Sequence, residues 1–237
     1  MAATYVTVPR GTIYHAYVDY KDSDTITIKP GYGECNGNYW DIMSDTDHDM
    51  SSLASGEDFH YIYVDGNNSN FPDPNIFDST TEPSWSDSKL GWYNGNHRCI
   101  GVVWSPSGSS TIQEFTSNSD LKYVTTSSIK QVLDDGNPDD TYQTLEATAY
   151  IPVNAIGVRV WAQNNDYTGA APHFYVLLLV TSYENTKTQI IGRGYYSAET
   201  AGWLELERNS SRDFKWYGND NDDNNFDICI DGYQIER

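Results

Sequence analysis

Apolar and polar positions alternate over short runs along this chain. Residues 12–20 place Ile13, His15, Tyr17 and Asp19 on one face and Tyr14, Ala16, Val18 and Tyr20 on the other. That period of two predicts a strand. Asp22-Ser23-Asp24 turns it into a second strand over 25–29, an opening hairpin closed by Pro30-Gly31. Residues 1–11 read as a short lead strand, and 59–64 as a strong one ended by Asp65-Gly66-Asn67-Asn68. The most informative stretch is 90–115. Its segment 98–104 is β-branched and aromatic, and it lies between turn signals. Gly101 inside it predicts a bulge or a close backbone approach. Pro106 and Gly108 then predict a turn that joins this strand to one over 111–115.

The texture changes over 116–140, which is polar and rich in Ser and Thr and ends in Asp134-Asp135-Gly136-Asn137-Pro138-Asp139-Asp140. The domain boundary is placed here, between residues 137 and 138. Seven candidate strands follow, over 144–150, 157–162, 173–181, 189–195, 202–206, 214–217 and 226–236. This spacing suggests a sandwich, with the apolar run 174–180 as a central strand. The expected fold is all-β: two jelly-roll-like β-sandwich domains in tandem, residues 1–137 and 138–237.

Composition agrees with that class. The 237 residues include 19 Tyr and 7 Trp. Each buried aromatic removes about 150–250 Å² from water, roughly 4–6 kcal/mol before entropy is charged. A few such rings can hold a sandwich without disulfides. The net charge of −20, from 34 acidic and 14 basic residues, argues against a nucleic-acid partner and against docking on an anionic membrane. No apolar run approaches the ~20 residues of a membrane span, and the opening residues lack the basic and apolar regions of a secretory signal. Cys35, Cys99 and Cys229 fit no metal-binding spacing, and buried free thiols are expected of Cys99 and Cys229.

Candidate chemistry is sparse. Asp45, Asp47 and Asp49 have the spacing that opens a calcium loop, but Met50 stands where the glycine belongs, so a solvated acidic loop is the plainer reading. The run 220–225 is rich in oxygen ligands and also reads as a solvated turn. His60 and His173 head strands beside aromatics and read as structural. No hydrolase, phosphate-loop, zinc-protease or dinucleotide motif occurs, so no catalytic residue, metal ligand or cofactor is assigned. The better clue is aromatic. Trp85, Trp92 and Tyr93 read as loop residues with Asp87, Asn94 and Asn96 between them, and Trp203, Trp216 and Tyr217 form a second group. Flat rings against pyranose faces, with amides and carboxylates on the hydroxyls, are how proteins hold sugars. The competing reading is that these rings cap the ends of a sandwich. The candidate ligand-binding set is Trp85, Asp87, Trp92, Tyr93, Asn94, Trp216 and Tyr217.

The order of segments also carries a resemblance. TITIKPGYG (25–33) leads to YWDI (39–42), HYIYVD (60–65), DSTTEPSW (78–85), RCIGVVW (98–104) and IQEF (112–115). This resembles a module of tail fibres and other virion proteins of tailed bacteriophages, with its ITI-x-PGYA opening, W-YYVYL strand, AP-LP-GY loop and RRIGAV…F hairpin. It covers roughly residues 12–116 and departs from the pattern at Asn96-His97 and in the acidic insert around 44–57. The order of strands in residues 141–237, ending in Gly232-Tyr233, resembles the sandwich that follows that module in many tail-fibre chains. The resemblance implies a non-enzymatic virion protein made in the host cytoplasm: a tail fibre or adhesin for host attachment, or a subunit decorating the capsid or tail. Its implied partners are copies of itself, commonly as a homotrimer, other virion proteins and a host-surface glycan. Two further readings differ in what they require. A free carbohydrate-binding module would be a monomer, and a glycan hydrolase would need two carboxylates in one cleft about 5–10 Å apart.

Overall fold

The alternating run at 12–20 divides into two strands, because His15 and Ala16 both take left-handed backbone angles (φ 53° and 55°). Consecutive non-glycine residues in that region break a strand. In this computed structural model the described residues are 8–53, 56–106, 108–136, 143–164, 174–180, 189–194, 199–206, 208, 212–216 and 226–237. Residues 1–7 of the expected lead strand lie outside them. The contacts divide the chain into two compact units, residues 1–123 with 235–237, and residues 124–234.

In the first unit, β1 (Ile13–His15), before the break, pairs with a different sheet from β2 (Val18–Asp22), after it. β2 forms the expected hairpin with β3 (Thr25–Ile28). β4 (Gly31–Cys35) and β5 (Asn38–Ile42) form a second hairpin, turned by Asn36 and Gly37 at φ 51° and 88°. Asn-Gly with both residues left-handed is the turn whose twist matches a hairpin. β1 adds to this pair on the far edge of β4. β6 (Thr46–Asp49) pairs with β3, so the aspartate run expected as a loop is a strand. Its charges are met across the sheet: Lys21 Nζ lies 2.5 Å from Asp47 and Lys29 Nζ 2.9 Å from Asp45.

The largest sheet of this unit runs β8-β7-β11-β10-β9, all antiparallel. Its strands are β7 (Asp58–Val64), β8 (Ile76–Ser79), β9 (Ser84–Ser86), β10 (Gly91–Asn94) and β11 (His97–Ser105). β7 and β11 are the strands expected at 59–64 and 98–104, and they are buried along almost their whole length. The register against β7 slips between Cys99 and Gly101, the bulge that the glycine announced. Gly101 is also a close approach, since a Cβ there would sit 2.3 Å from Val18 Cγ2 on β2. Two sheets therefore meet face to face at Gly101 and Val18. Trp40, Trp92 and Trp104 fill the interior.

A second tie between the same two sheets is polar. Asp78 on β8 is 3.0 Å from Nε2 of His48 on β6 and 3.4 Å from Nδ1 of His60 on β7. His60 is buried, consistent with a structural role. The His48 hydrogen bond, with His60 beside it, holds the Asp78 carboxyl well below the usual carboxylate range.

The strand expected over 111–115 forms only at its end, as β12 (Phe115–Ser117). The amides before it find separate partners, Ile112 N on Ser23 O and Gln113 N on Trp104 O, so no ladder develops. The polar stretch 116–140, where the domain boundary is expected, holds β13 (Lys122–Thr125) and β14 (Lys130–Gly136). The chain leaves the first unit within β13.

The second unit contains a counterpart for each of the seven expected strands: β15 (Gln143–Leu145), β16 (Ala155–Asn164), β17 (Phe174–Val180), β18 (Gln189–Gly194), β19 (Glu199–Glu205), β20 (Phe214–Trp216) and β21 (Phe226–Ile235). The first is cut short, and a single 3-10 turn, Thr148–Tyr150, replaces its second half. β21 neighbours β16, which pairs with β19, while β14 pairs with β21. The other sheet runs β15-β20-β17-β18, which gives β17 the interior place its apolar run predicted. Phe214, Trp216, Ile228, Ile230 and Tyr233 are buried in this unit. Arg159 and Asp231 pair across β16 and β21 at 2.5 Å. The fold is all-β and sandwich-like, and no α-helix occurs among the described residues.

Candidate functional site

Residues 84–94 do not form ordered loops. They make the β9–β10 hairpin, with Trp85 directly opposite Trp92. Trp92 and Tyr93 are buried, 1% and 2% exposed, so neither presents a face to a ligand. Ser, Asp and Asn around these rings read as loop chemistry, yet they occupy the turn and the solvent side of a short edge hairpin. Trp92 lies edge-on to Trp85 at 6.0 Å and donates from Nε1 to Glu236 at 3.1 Å. Trp85 is half-buried and donates from its own Nε1 to the exposed Asp87 at 2.8 Å. Asn94 is half-buried at the start of the β10–β11 turn, where Gly95 takes φ 59°. Trp216 is buried in β20 and Trp203 is half-buried in β19. Tyr217, His173 and the run 220–225 lie outside the described residues.

Tyr93 has a different task. Its ring carries the Arg98 guanidinium on one approach (5.0 Å) and Lys89 Nζ on another (4.7 Å). Arg98 is fully buried and donates to the carbonyls of Leu90 and Gly11, both at 3.2 Å. It reaches them over Gly91, where a Cβ would fall 1.7 Å from its Nη1. Only glycine leaves room for that cation.

Among the described residues the exposed aromatics are elsewhere, on the β1-β4-β5 sheet. Directly opposed residues share a face, and faces alternate along each strand. The register therefore puts Gly33, Cys35, Trp40 and Ile42 on one side and Tyr14, Tyr32, Glu34, Tyr39 and Asp41 on the other. The first side is core. On the second, Tyr14 is 54% and Tyr32 36% exposed, stacked at 5.2 Å, and Tyr39 follows at 6.2 Å from Tyr32. Tyr39 donates its hydroxyl to Asp41 at 3.1 Å; burial, then that hydrogen bond, raises its pKa. Three rings in a row beside a carboxylate make a surface that can stack sugar rings and accept their hydroxyls.

Next along this face lies Glu34, opposite Tyr39. It is buried and accepts from Gly11 N at 3.1 Å and from Gly37 N. Glu34 forms one wall of a pocket of about 230 Å³ completed by Arg10, Asn36, Gly37, Ser88 and Lys89. The Cys35 thiol behind it is pushed up to about 11 by burial, and Cys99 to about 12 for the same reason. All three cysteines are free and buried, Cys99 and Cys229 as expected from sequence.

Sequence reasoning missed the tyrosine row. The signal was present: Asn36-Gly37 is one of two Asn-Gly hairpin markers in the chain, with Asn94-Gly95, and applying it would have placed Tyr32, Glu34 and Tyr39 on one face. No protein-family model and no curated protein matches this chain.

Proposed function

We propose that this chain is a non-enzymatic structural protein of a tailed-phage particle, a fibre or adhesin subunit that meets the host surface through glycan. The observation that carries the reading is the row of exposed Tyr14 and Tyr32 and half-buried Tyr39 on a sheet whose other face is core. Rings fixed by cross-strand pairing lose little freedom when a sugar stacks on them. Such a surface binds weakly alone and well in several copies, which suits a trimeric fibre. The segment order of residues 12–116 supports the same class.

Two measurements test it. Immunogold electron microscopy of purified particles encoded with this chain is expected to label the particle at its tail or shell, and sedimentation of the purified chain is expected to give a trimer. Particles that carry no label, with a chain that stays monomeric, would refute the reading and favour a free sugar-binding module.

A further inference from the structure

The pocket beside the tyrosine row has an electrostatic character that the chain as a whole lacks. We infer that it seats the anionic group of an acidic saccharide, while the sugar ring lies against Tyr39 and Tyr32. This deepens the glycan-binding part of the proposed function and names its ligand class.

The chain holds only 14 Lys and Arg among 237 residues, against 34 acids. Two of those cations, Arg10 and Lys89, line this one pocket. The remaining lining groups include the Asn36 amide and the Ser88 hydroxyl, which can both donate to an oxyanion. Glu34, the one acid in the lining, already accepts from two backbone amides, Gly11 and Gly37. The buried Arg98 stands close by, donating from Nη2 to the carbonyl of Gly11, the residue whose amide Glu34 accepts. The lining thus carries two cations against one amide-bonded carboxylate, with a third cation behind it.

The cations are held in place. Arg10 Nη1 rests on Ser88 O at 3.4 Å, and Lys89 Nζ on Gly95 O at 2.8 Å and Asn96 Oδ1 at 3.2 Å. Each still has donors to give: a guanidinium offers five N–H groups and an ammonium three. The net charge of −20 does not forbid an anion here. At physiological salt the screening length is about 8 Å, so the local pair outweighs distant carboxylates. The class is a saccharide rather than a bare anion because Glu34, the pocket wall, stands opposite Tyr39, the last ring of the row.

The test is NMR or calorimetric titration of the full chain with glucuronate, glucose 6-phosphate, glucose, acetate and inorganic phosphate. Glucuronate or glucose 6-phosphate is expected to bind near 1 mM, at least about tenfold tighter than glucose and than its own bare anion. The better of the two says whether carboxylate or phosphate is the preferred group. Arg10→Ala and Lys89→Gln are each expected to weaken the acidic sugar about tenfold. Tyr32→Ala should weaken both acidic and neutral sugars, and circular dichroism checks that every variant is folded. Equal affinity for glucose and glucuronate, binding of inorganic phosphate alone, or no effect of either cation variant would overturn the inference. Such results leave particle labelling and trimer formation untouched, so this inference and the virion reading fail separately.

Discussion

Replacing Gly101 by Ala tests how the first unit is packed. The new Cβ would stand 2.3 Å from Val18 Cγ2 and 3.2 Å from Val18 Cβ, where carbon atoms prefer about 3.5–4.0 Å. Val18 is fully buried and β-branched, so it has no second rotamer to retreat into cheaply. The two sheets must separate locally or Val18 must leave its rotamer, at about 1–3 kcal/mol. Val18→Ala alone removes two buried methyl groups and costs about 2 kcal/mol. In the double variant the clash is relieved, so the costs should fall short of their sum by about 1 kcal/mol or more. Urea unfolding followed by tryptophan fluorescence reads this out, because Trp40, Trp92 and Trp104 all lie in this unit's core. Gly101→Ala within about 0.5 kcal/mol of the parent, or strictly additive costs, would refute the face-to-face contact.

Three further outcomes follow from the structure. Asp78→Asn should lose about 1.5–3 kcal/mol at pH 7, by removing a partly buried carboxylate from His48 and His60. Because the native carboxyl titrates below its unfolded value, that difference is present above about pH 4 and shrinks as pH falls through the native pKa; a gap that widens on acidification would contradict it. Gly91→Ala should cost at least about 2 kcal/mol, since its Cβ would displace the buried Arg98 guanidinium, and unchanged urea stability would sink that assignment. The folded chain should react slowly with a thiol reagent at pH 8 and release all three thiols only on unfolding, because burial raises each pKa; rapid labelling of the native protein would show the thiols to be accessible.

The fold class was legible because Tyr and Trp in short alternating runs leave few alternatives to a sheet. The bulge at Gly101 was legible too, since a glycine within a β-branched run has few other uses. What sequence could not supply was pairing. Asp45 and Asp47 look like a solvated loop until register brings Lys29 and Lys21 across from them. Trp92 and Tyr93 look exposed until the β9–β10 hairpin folds one onto Trp85 and the other under Arg98. The tyrosine row is legible only in part: Asn36-Gly37 marks the hairpin that puts Tyr32 and Tyr39 on one face, but Tyr14 is far from both in the chain and joins them only through the pairing of β1 with β4. The break at His15 and Ala16 had no marker, since neither residue is a glycine.

Residues 235–237 return to the first unit after the whole of the second has been threaded. There Ile235 N bonds Leu121 O, Glu236 accepts from Trp92, and Arg237 donates to the carbonyls at the His15–Ala16 break. A ribosome making this chain therefore delivers the closing piece of the earlier unit last. Any product abandoned within 124–234 lacks that piece and leaves Trp92 and the strand break unsupported. A chain stopped there is expected to unfold more readily in its first unit than the whole chain, so the order of the chain makes the earlier unit conditional on completion of the later one.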